Sequence, residues 1–139
     1  MTLALFVLLA VAVDPAEVTN AQYHACVVAR RCSPPAFEDP SSAANLKTGK
    51  AENAQAYREA AAAASPAVGI SWGDAQAYCA RRKARLPTVA EWSRARVKAK
   101  VANWLADVKG DKRAVRGPLA QTAEDPQARA AWLGFRCAK

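Results

Sequence analysis

Histidine is almost absent from this chain. The single imidazole is His24 among 139 residues. A metal centre built on His24, Cys26 and Cys32 would lack a fourth ligand, and its spacing matches no usual zinc pattern. A Cys-His nucleophile pair is disfavoured too, because residues two apart on a helix point to different sides. Long apolar runs are also missing. The longest, Leu3–Val13, is eleven residues, well short of the ~20 a membrane-spanning helix needs. No internal repeat or low-complexity linker divides the chain, so its length suits one domain with an ordinary core.

The first residues allow two readings. Ala10-Val-Ala12 is a small-residue pattern of the kind that closes a secretory signal, although no Lys or Arg precedes the apolar run. Alternatively, Leu8–Asp14 is a first strand with two buried faces. Residues 1–13 are therefore a signal segment or a first strand, and residues 14–139 are one domain. The even cysteine count, four, leans toward export and a secreted, periplasmic or envelope-associated location.

Acidic residues are scarce in the second half. Residues 1–66 hold 5 Lys/Arg against 6 Asp/Glu, net −1, whereas residues 67–139 hold 15 against 6, net +9. The excess is densest over residues 81–116, with 12 Lys/Arg against 3 Asp/Glu. Arg81, Arg82, Lys83, Arg94 and Arg96 are therefore the candidate basic binding surface. The charges are spread over several elements and form no tract, so a solvated basic face outweighs nucleic-acid binding.

What is present is punctuation. Thr19 or Asn20 can cap a helix that reaches about Arg31, with Tyr23 and Val27 on its buried side, before Cys32-Ser-Pro-Pro stops it. Ser71 precedes Asp74 by three, and Thr88 precedes Glu91 by three, each the spacing of a capping box or its Asp variant. Residues 36–66 read as a surface insertion carrying an Ala-rich helix over 52–64. The basic stretch after Trp92 could continue the second capped helix or leave it as a loop. Residues 101–107 read as a strand or turn, 114–117 as a short strand end, and 118–131 as polar, Pro-bounded and Ala-rich. Trp132-Leu-Gly-Phe-Arg-Cys closes as an apolar strand. Trp72, Tyr78, Trp92, Trp104, Trp132 and Phe135 are the expected core. A local Cys26–Cys32 disulfide suits the helix end, and Cys79 would then pair with Cys137 over 58 residues.

Four segments carry a family pattern in order: Glu17-Val-Thr-Asn20-Ala-Gln-Tyr23; Val68-Gly-Ile-Ser71-Trp72-x-Asp74-Ala-x-Ala-Tyr78-Cys79; Arg85-Leu-Pro87-Thr88-x-x-Glu91-Trp92; and Leu133-Gly134-Phe135-Arg136-Cys137. Together they resemble the formylglycine-generating enzyme (sulfatase-modifying factor) family. The resemblance implies an α+β fold of C-type lectin-like kind, with few helices on a small twisted antiparallel sheet and many loops. Within it, Cys137 matches a structural cysteine. Arg85 and Arg136 would form buried ion pairs or carbonyl contacts.

The departures from that pattern bear on function. Active members oxidise a substrate cysteine to formylglycine using copper held by two cysteines, placed between an Arg-Gly-Gly-Ser strand and the closing Gly-Phe-Arg. Here that interval, Pro118–Leu133, has no cysteine, serine or histidine, and Cu(I) prefers thiolate ligands. Only eight residues separate Trp92 from Val101, where the family carries a long stretch with calcium ligands and substrate-groove walls. The related iron-dependent sulfoxide synthases use several histidines, and this chain has one. The expectation is a non-catalytic module, a pseudoenzyme that binds a protein or small ligand with no cofactor and no catalytic residue. Two alternatives stand beside it: a copper-dependent oxidase, needing copper or calcium, and a basic-surface anion or nucleic-acid binder. The oligomeric state is not set by the sequence.

Overall fold

The computed structural model describes residues 12–39, 41 and 62–139. Most of the expected Ala-rich helix and most of the expected signal segment or first strand lie outside the described residues. Among the described residues, three helices lead into a four-stranded sheet, an α+β arrangement.

Each helix begins where its cap chemistry places it. Helix α1 (Asn20–Val28) opens on Thr19, whose hydroxyl accepts from the Gln22 N–H at 3.2 Å while Gln22 Oε1 accepts from the Thr19 N–H at 2.9 Å. It ends three residues before Arg31. The chain turns back through Arg30 in the left-handed region (φ 59°), and a Cys26–Cys32 disulfide closes the turn with a Cα separation of 5.3 Å. Helix α2 (Trp72–Arg81) is capped by Ser71, which accepts from the Asp74 N–H at 3.3 Å. It buries Ala75, Tyr78 and Cys79. Helix α3 (Val89–Ala95) starts on the full Thr88/Glu91 capping box and stops at Arg96, again left-handed (φ 51°). The basic stretch after Trp92 therefore keeps Arg94 in the helix's last turn and leaves the helix from Arg96 onward.

The strands are β1 (Ala102–Lys109), β2 (Lys112–Arg116), β3 (Gln121–Glu124) and β4 (Leu133–Gly134), ordered β3-β2-β1-β4. The first three are antiparallel neighbours, whereas β4 joins β1 in parallel through Ala102↔Leu133 and Asn103↔Gly134, making the sheet mixed. Strand β3 lies within the polar, Pro-bounded and Ala-rich stretch 118–131, where the sequence singles out no element. Its sequence, Gln-Thr-Ala-Glu, carries no strand pattern because it is an edge strand with no fully buried residue. Hydrogen bonds to β2 form it.

The sheet's two faces pack against different partners, as alternation along a strand requires. Trp104 and Val115 join Tyr23, Tyr78, Phe135 and Leu133 in the main core, while Leu105 and Ala114 face Trp92 of α3. Tyr78 and Phe135 meet edge-to-face at 5.4 Å, and Tyr23 meets Phe135 at 6.3 Å. Trp132 is a correction: it is 52% exposed and outside the core. Ala36 and Phe37, inside the span read as an insertion, are buried, and the Ala36 N–H donates to the Gly69 carbonyl at 2.8 Å. Two glycines are required locally. Gly69 sits at φ +73°, and a Cβ at Gly134 would collide with the Ala67 carbonyl oxygen.

The second disulfide joins Cys79 of α2 to Cys137 after β4, with Cα atoms 5.5 Å apart. Among the described residues no helix is long and apolar enough to cross a membrane.

Candidate functional site

The last motif closes on a buried charge. Arg136 is fully enclosed, yet every nitrogen is used: Nε donates to Asn103 Oδ1 at 2.7 Å, Nη1 to the Pro15 and Asp14 carbonyls at 2.9 and 3.2 Å, and Nη2 to the Lys98 carbonyl at 2.7 Å. Glu17 lies 3.7 Å from it and accepts from the Lys100 N–H, the Val101 N–H and Asn103 Nδ2 at 2.8, 3.1 and 3.0 Å. A charge pair so rich in hydrogen bonds ties three stretches of chain together, residues 14–17, 98–103 and Arg136.

Arg85 makes a carbonyl contact, Nη1 donating to the Leu86 carbonyl at 3.2 Å, and an ion pair that is half-exposed, whereas a buried pair was the other expectation for it. It pairs side-on with Glu91, both N···O distances 2.6 Å, at a half-exposed position. The hydrogen bonds from Arg85, then those from Thr88, pull the Glu91 carboxyl down to about 2. A depressed acid stabilises the fold above its unfolded value near 4.5, and that contribution is lost as pH falls toward 2. We expect Glu91→Gln to flatten the acid limb of a melting-temperature profile between about pH 5 and 2. The effect at neutral pH is about 0.5–1 kcal/mol, because the exposed guanidinium is screened by water.

The remaining motif residues also serve structure. Asn20 Nδ2 donates to the Ala62 carbonyl at 2.9 Å. The Tyr23 hydroxyl donates to the Ser33 carbonyl at 2.7 Å, and burial, then the charge of Asp74, push its pKa up. Trp72 Nε1 donates to the Leu105 carbonyl at 2.9 Å. The carbonyl of buried Pro87 accepts from the Ala106 N–H at 2.9 Å, joining the α3 entry to β1. Arg81, Arg82, Lys83, Arg94 and Arg96 are exposed, and Arg82 lies over the Tyr78 ring at 5.8 Å.

A concave, apolar feature of the surface lies elsewhere. A groove of about 480 Å³ runs beside the β2–β3 turn, with Val101, Pro118, Leu119, Thr122, Glu124 and Trp132 among its walls. The turn is closed by the Gly117 N–H donating to the Ala120 carbonyl at 2.8 Å, which lifts Leu119 to 96% exposure. Trp132 is fixed opposite by its carbonyl, which accepts from the Ala102 N–H at 2.9 Å. An exposed leucine and tryptophan facing one concavity are what an apolar ligand or side chain would contact. Sequence reasoning placed Trp132 in the core and left Leu119 unremarked. The available signal was two large apolar residues in an otherwise polar, Pro-bounded stretch.

This groove is built largely by the interval that holds copper in the enzymes the motifs resemble. The donor set does not fit that ion. Residues 118–133 offer no thiolate or imidazole, all four cysteines are in disulfides, and His24 sits exposed on α1. Among the described residues no three His, Cys, Asp or Glu side chains converge as a metal site.

Comparison with known families places the frame. The model of the sulfatase-modifying factor enzyme 1-like domain matches residues 6–115. None of the curated proteins compared with the chain matches it. The matched span includes the three described helices, β1 and nearly all of β2; the turn bearing Leu119, and Trp132, lie beyond it.

Proposed function

Because the chain belongs to the sulfatase-modifying factor enzyme 1-like family, we propose that it uses that family's frame as a non-catalytic binding module. Its contact surface is the groove between Leu119 and Trp132. The observation that carries this reading is a substitution of chemistry in place. Where the resemblance calls for copper-holding cysteines, this chain presents exposed apolar side chains around a concavity. Glu17 and Arg136 are engaged in a buried pair, and Glu91 in a helix cap with Arg85 beside it, so these four side chains are committed to the frame.

Two disulfides and the lack of a spanning helix among the described residues are compatible with a secreted or periplasmic site of action. The ligand is an apolar small molecule or an apolar side chain of a protein partner.

Two measurements test the reading together. The purified protein, supplied with copper, oxygen and a sulfatase-type cysteine peptide, should leave the peptide unmodified by mass spectrometry. The apolar dye anilinonaphthalene sulfonate should bind it, with affinity falling about tenfold in a Leu119→Ser, Trp132→Ser double variant, which loses about 1.4 kcal/mol or more of apolar contact. Formylglycine formation abolished by Cys137→Ser would sink the non-catalytic reading. Dye binding that ignores the double variant would remove the groove.

A further inference from the structure

The exposed leucine and tryptophan of the groove share one end of the sheet with the exposed cations that follow α3. Strand β1 begins at this end with Ala102, β2 ends here with Arg116, β3 begins here with Gln121, and β4 begins here with Leu133. Lys100, the turn from Gly117 to Ala120, and Trp132 each lie within two residues of one of those strand ends, and all three line the same concavity. Four large hydrophobics are exposed among the described residues: Val28, Val108, Leu119 and Trp132. Two of them therefore meet here, at 96% and 52% exposure, which marks a contact surface more than scattered apolar residues would.

Packing sets the cations beside them. Val97 and Ala99 rest on the cluster of Trp92, Leu105 and Ala114, while Arg96, Lys98 and Lys100 are exposed at the alternate positions. The backbone of this segment is held from beneath: the Lys98 carbonyl accepts from Arg136 Nη2 at 2.7 Å, and the Lys100 N–H donates to Glu17 at 2.8 Å. Residues 94–100 contain four cations and no acid. Among the described residues, none of Arg94, Arg96, Lys98 and Lys100 takes part in an ion pair. Of the nearby acids, Glu17 is buried against Arg136, and Glu124 stands at the far end of β3 opposite Arg113.

From this juxtaposition we propose that this end of the sheet is a docking face for an anionic lipid surface. Leu119 and Trp132 enter the interface, and Arg96, Lys98 and Lys100 meet the headgroups. A half-exposed indole presents an apolar ring with a polar N–H, the combination favoured at headgroup depth. A bare leucine gains by leaving water for the acyl boundary. Neither signal suffices alone, because a small apolar anchor attaches only marginally and a few surface cations are screened by salt. Side by side they supply the two signals that stable peripheral attachment takes. A soluble polyanion would give the leucine and tryptophan nothing to enter, and an apolar guest in the groove would leave the cations unused. The proposal goes beyond the groove reading: it shares Leu119 and Trp132 with that reading but requires the cations as well.

The test mixes the full chain with vesicles of phosphatidylcholine alone, or of phosphatidylcholine and phosphatidylglycerol in equal parts. Flotation measures bound protein while tryptophan emission is recorded. We expect binding to the mixed vesicles with a blue shift in emission, and binding at least about tenfold weaker to the neutral ones. Trp104 is fully buried, Trp92 nearly so, and Trp72 partly buried with its N–H on the Leu105 carbonyl, so the shift should vanish in Trp132→Phe. Leu119→Ser should weaken binding at least about tenfold. Lys98→Gln combined with Lys100→Gln should weaken it about thirtyfold, at roughly fivefold per cation near an anionic surface. Lys109→Gln combined with Lys112→Gln, at the opposite end of the sheet and with the same change in net charge, should leave binding unchanged. Equal losses in the two lysine pairs would mean attraction by net charge alone and overturn the proposal. So would equal binding to neutral vesicles, an emission shift that survives Trp132→Phe, or tighter binding of inorganic polyphosphate than of vesicles. Failure to bind vesicles by a chain that still takes up the apolar dye also overturns it, and that outcome leaves the groove reading standing.

Discussion

Replacing Arg136 with methionine should destabilise the protein by about 3–5 kcal/mol, the range for removing one partner of a buried pair. The substitution keeps most of the volume but strips one carboxamide oxygen and three backbone carbonyls of their donors. It also leaves the Glu17 carboxylate buried without its counter-charge. The cost is therefore chiefly that of an uncompensated buried anion. Glu17→Gln combined with Arg136→Met should cost less than the sum of the two single changes, because the double variant buries no charge. Urea denaturation of the four proteins at neutral pH measures this cycle. Strict additivity would mean that the two groups act independently, and the network described above would then be wrong.

The next largest effect is expected at the long disulfide. Changing Cys79 and Cys137 together to alanine should cost about 4 kcal/mol, because that bridge constrains 58 residues of unfolded chain. The same treatment of Cys26 and Cys32, which close a span of only six, should cost about 2 kcal/mol in the same loop-entropy model. Denaturation midpoints of the two double variants give the order. Equal losses would show that native packing around the sulfurs, and not chain closure, sets the contribution.

Legibility from sequence followed the range of the interactions. The three helix starts were readable because a cap needs only residues three apart, and Thr19, Ser71 and Thr88 each accept from the residue three positions on. The frame was readable because four motifs in order pointed to one family, and the match over residues 6–115 places the chain there. Strand β3 was not readable. Gln121-Thr-Ala-Glu has no alternation, and it is a strand because β2 offers it hydrogen bonds. Trp132 looked like core because tryptophan usually is. Its carbonyl bond to Ala102 pins the backbone at the sheet edge, while the ring remains half in water.

The sites divide in the same way. Arg85 and Arg136 sit in equivalent-looking motifs, yet one is half-exposed beside its capping acid and the other is sealed among carbonyls contributed from residues 14, 15 and 98. Only contacts far apart in sequence separate those outcomes. By itself the sequence determined the helix caps, the family and the lack of copper ligands between Pro118 and Leu133, since each is a matter of residue type at short spacing. The tertiary structure alone decided that this interval becomes a groove walled by Leu119 and Trp132, and that Trp92 Nε1 and Arg116 Nε are buried with no acceptor among the described residues. Concavity and unpaired burial are properties of surfaces brought together by the fold, and no local pattern encodes them.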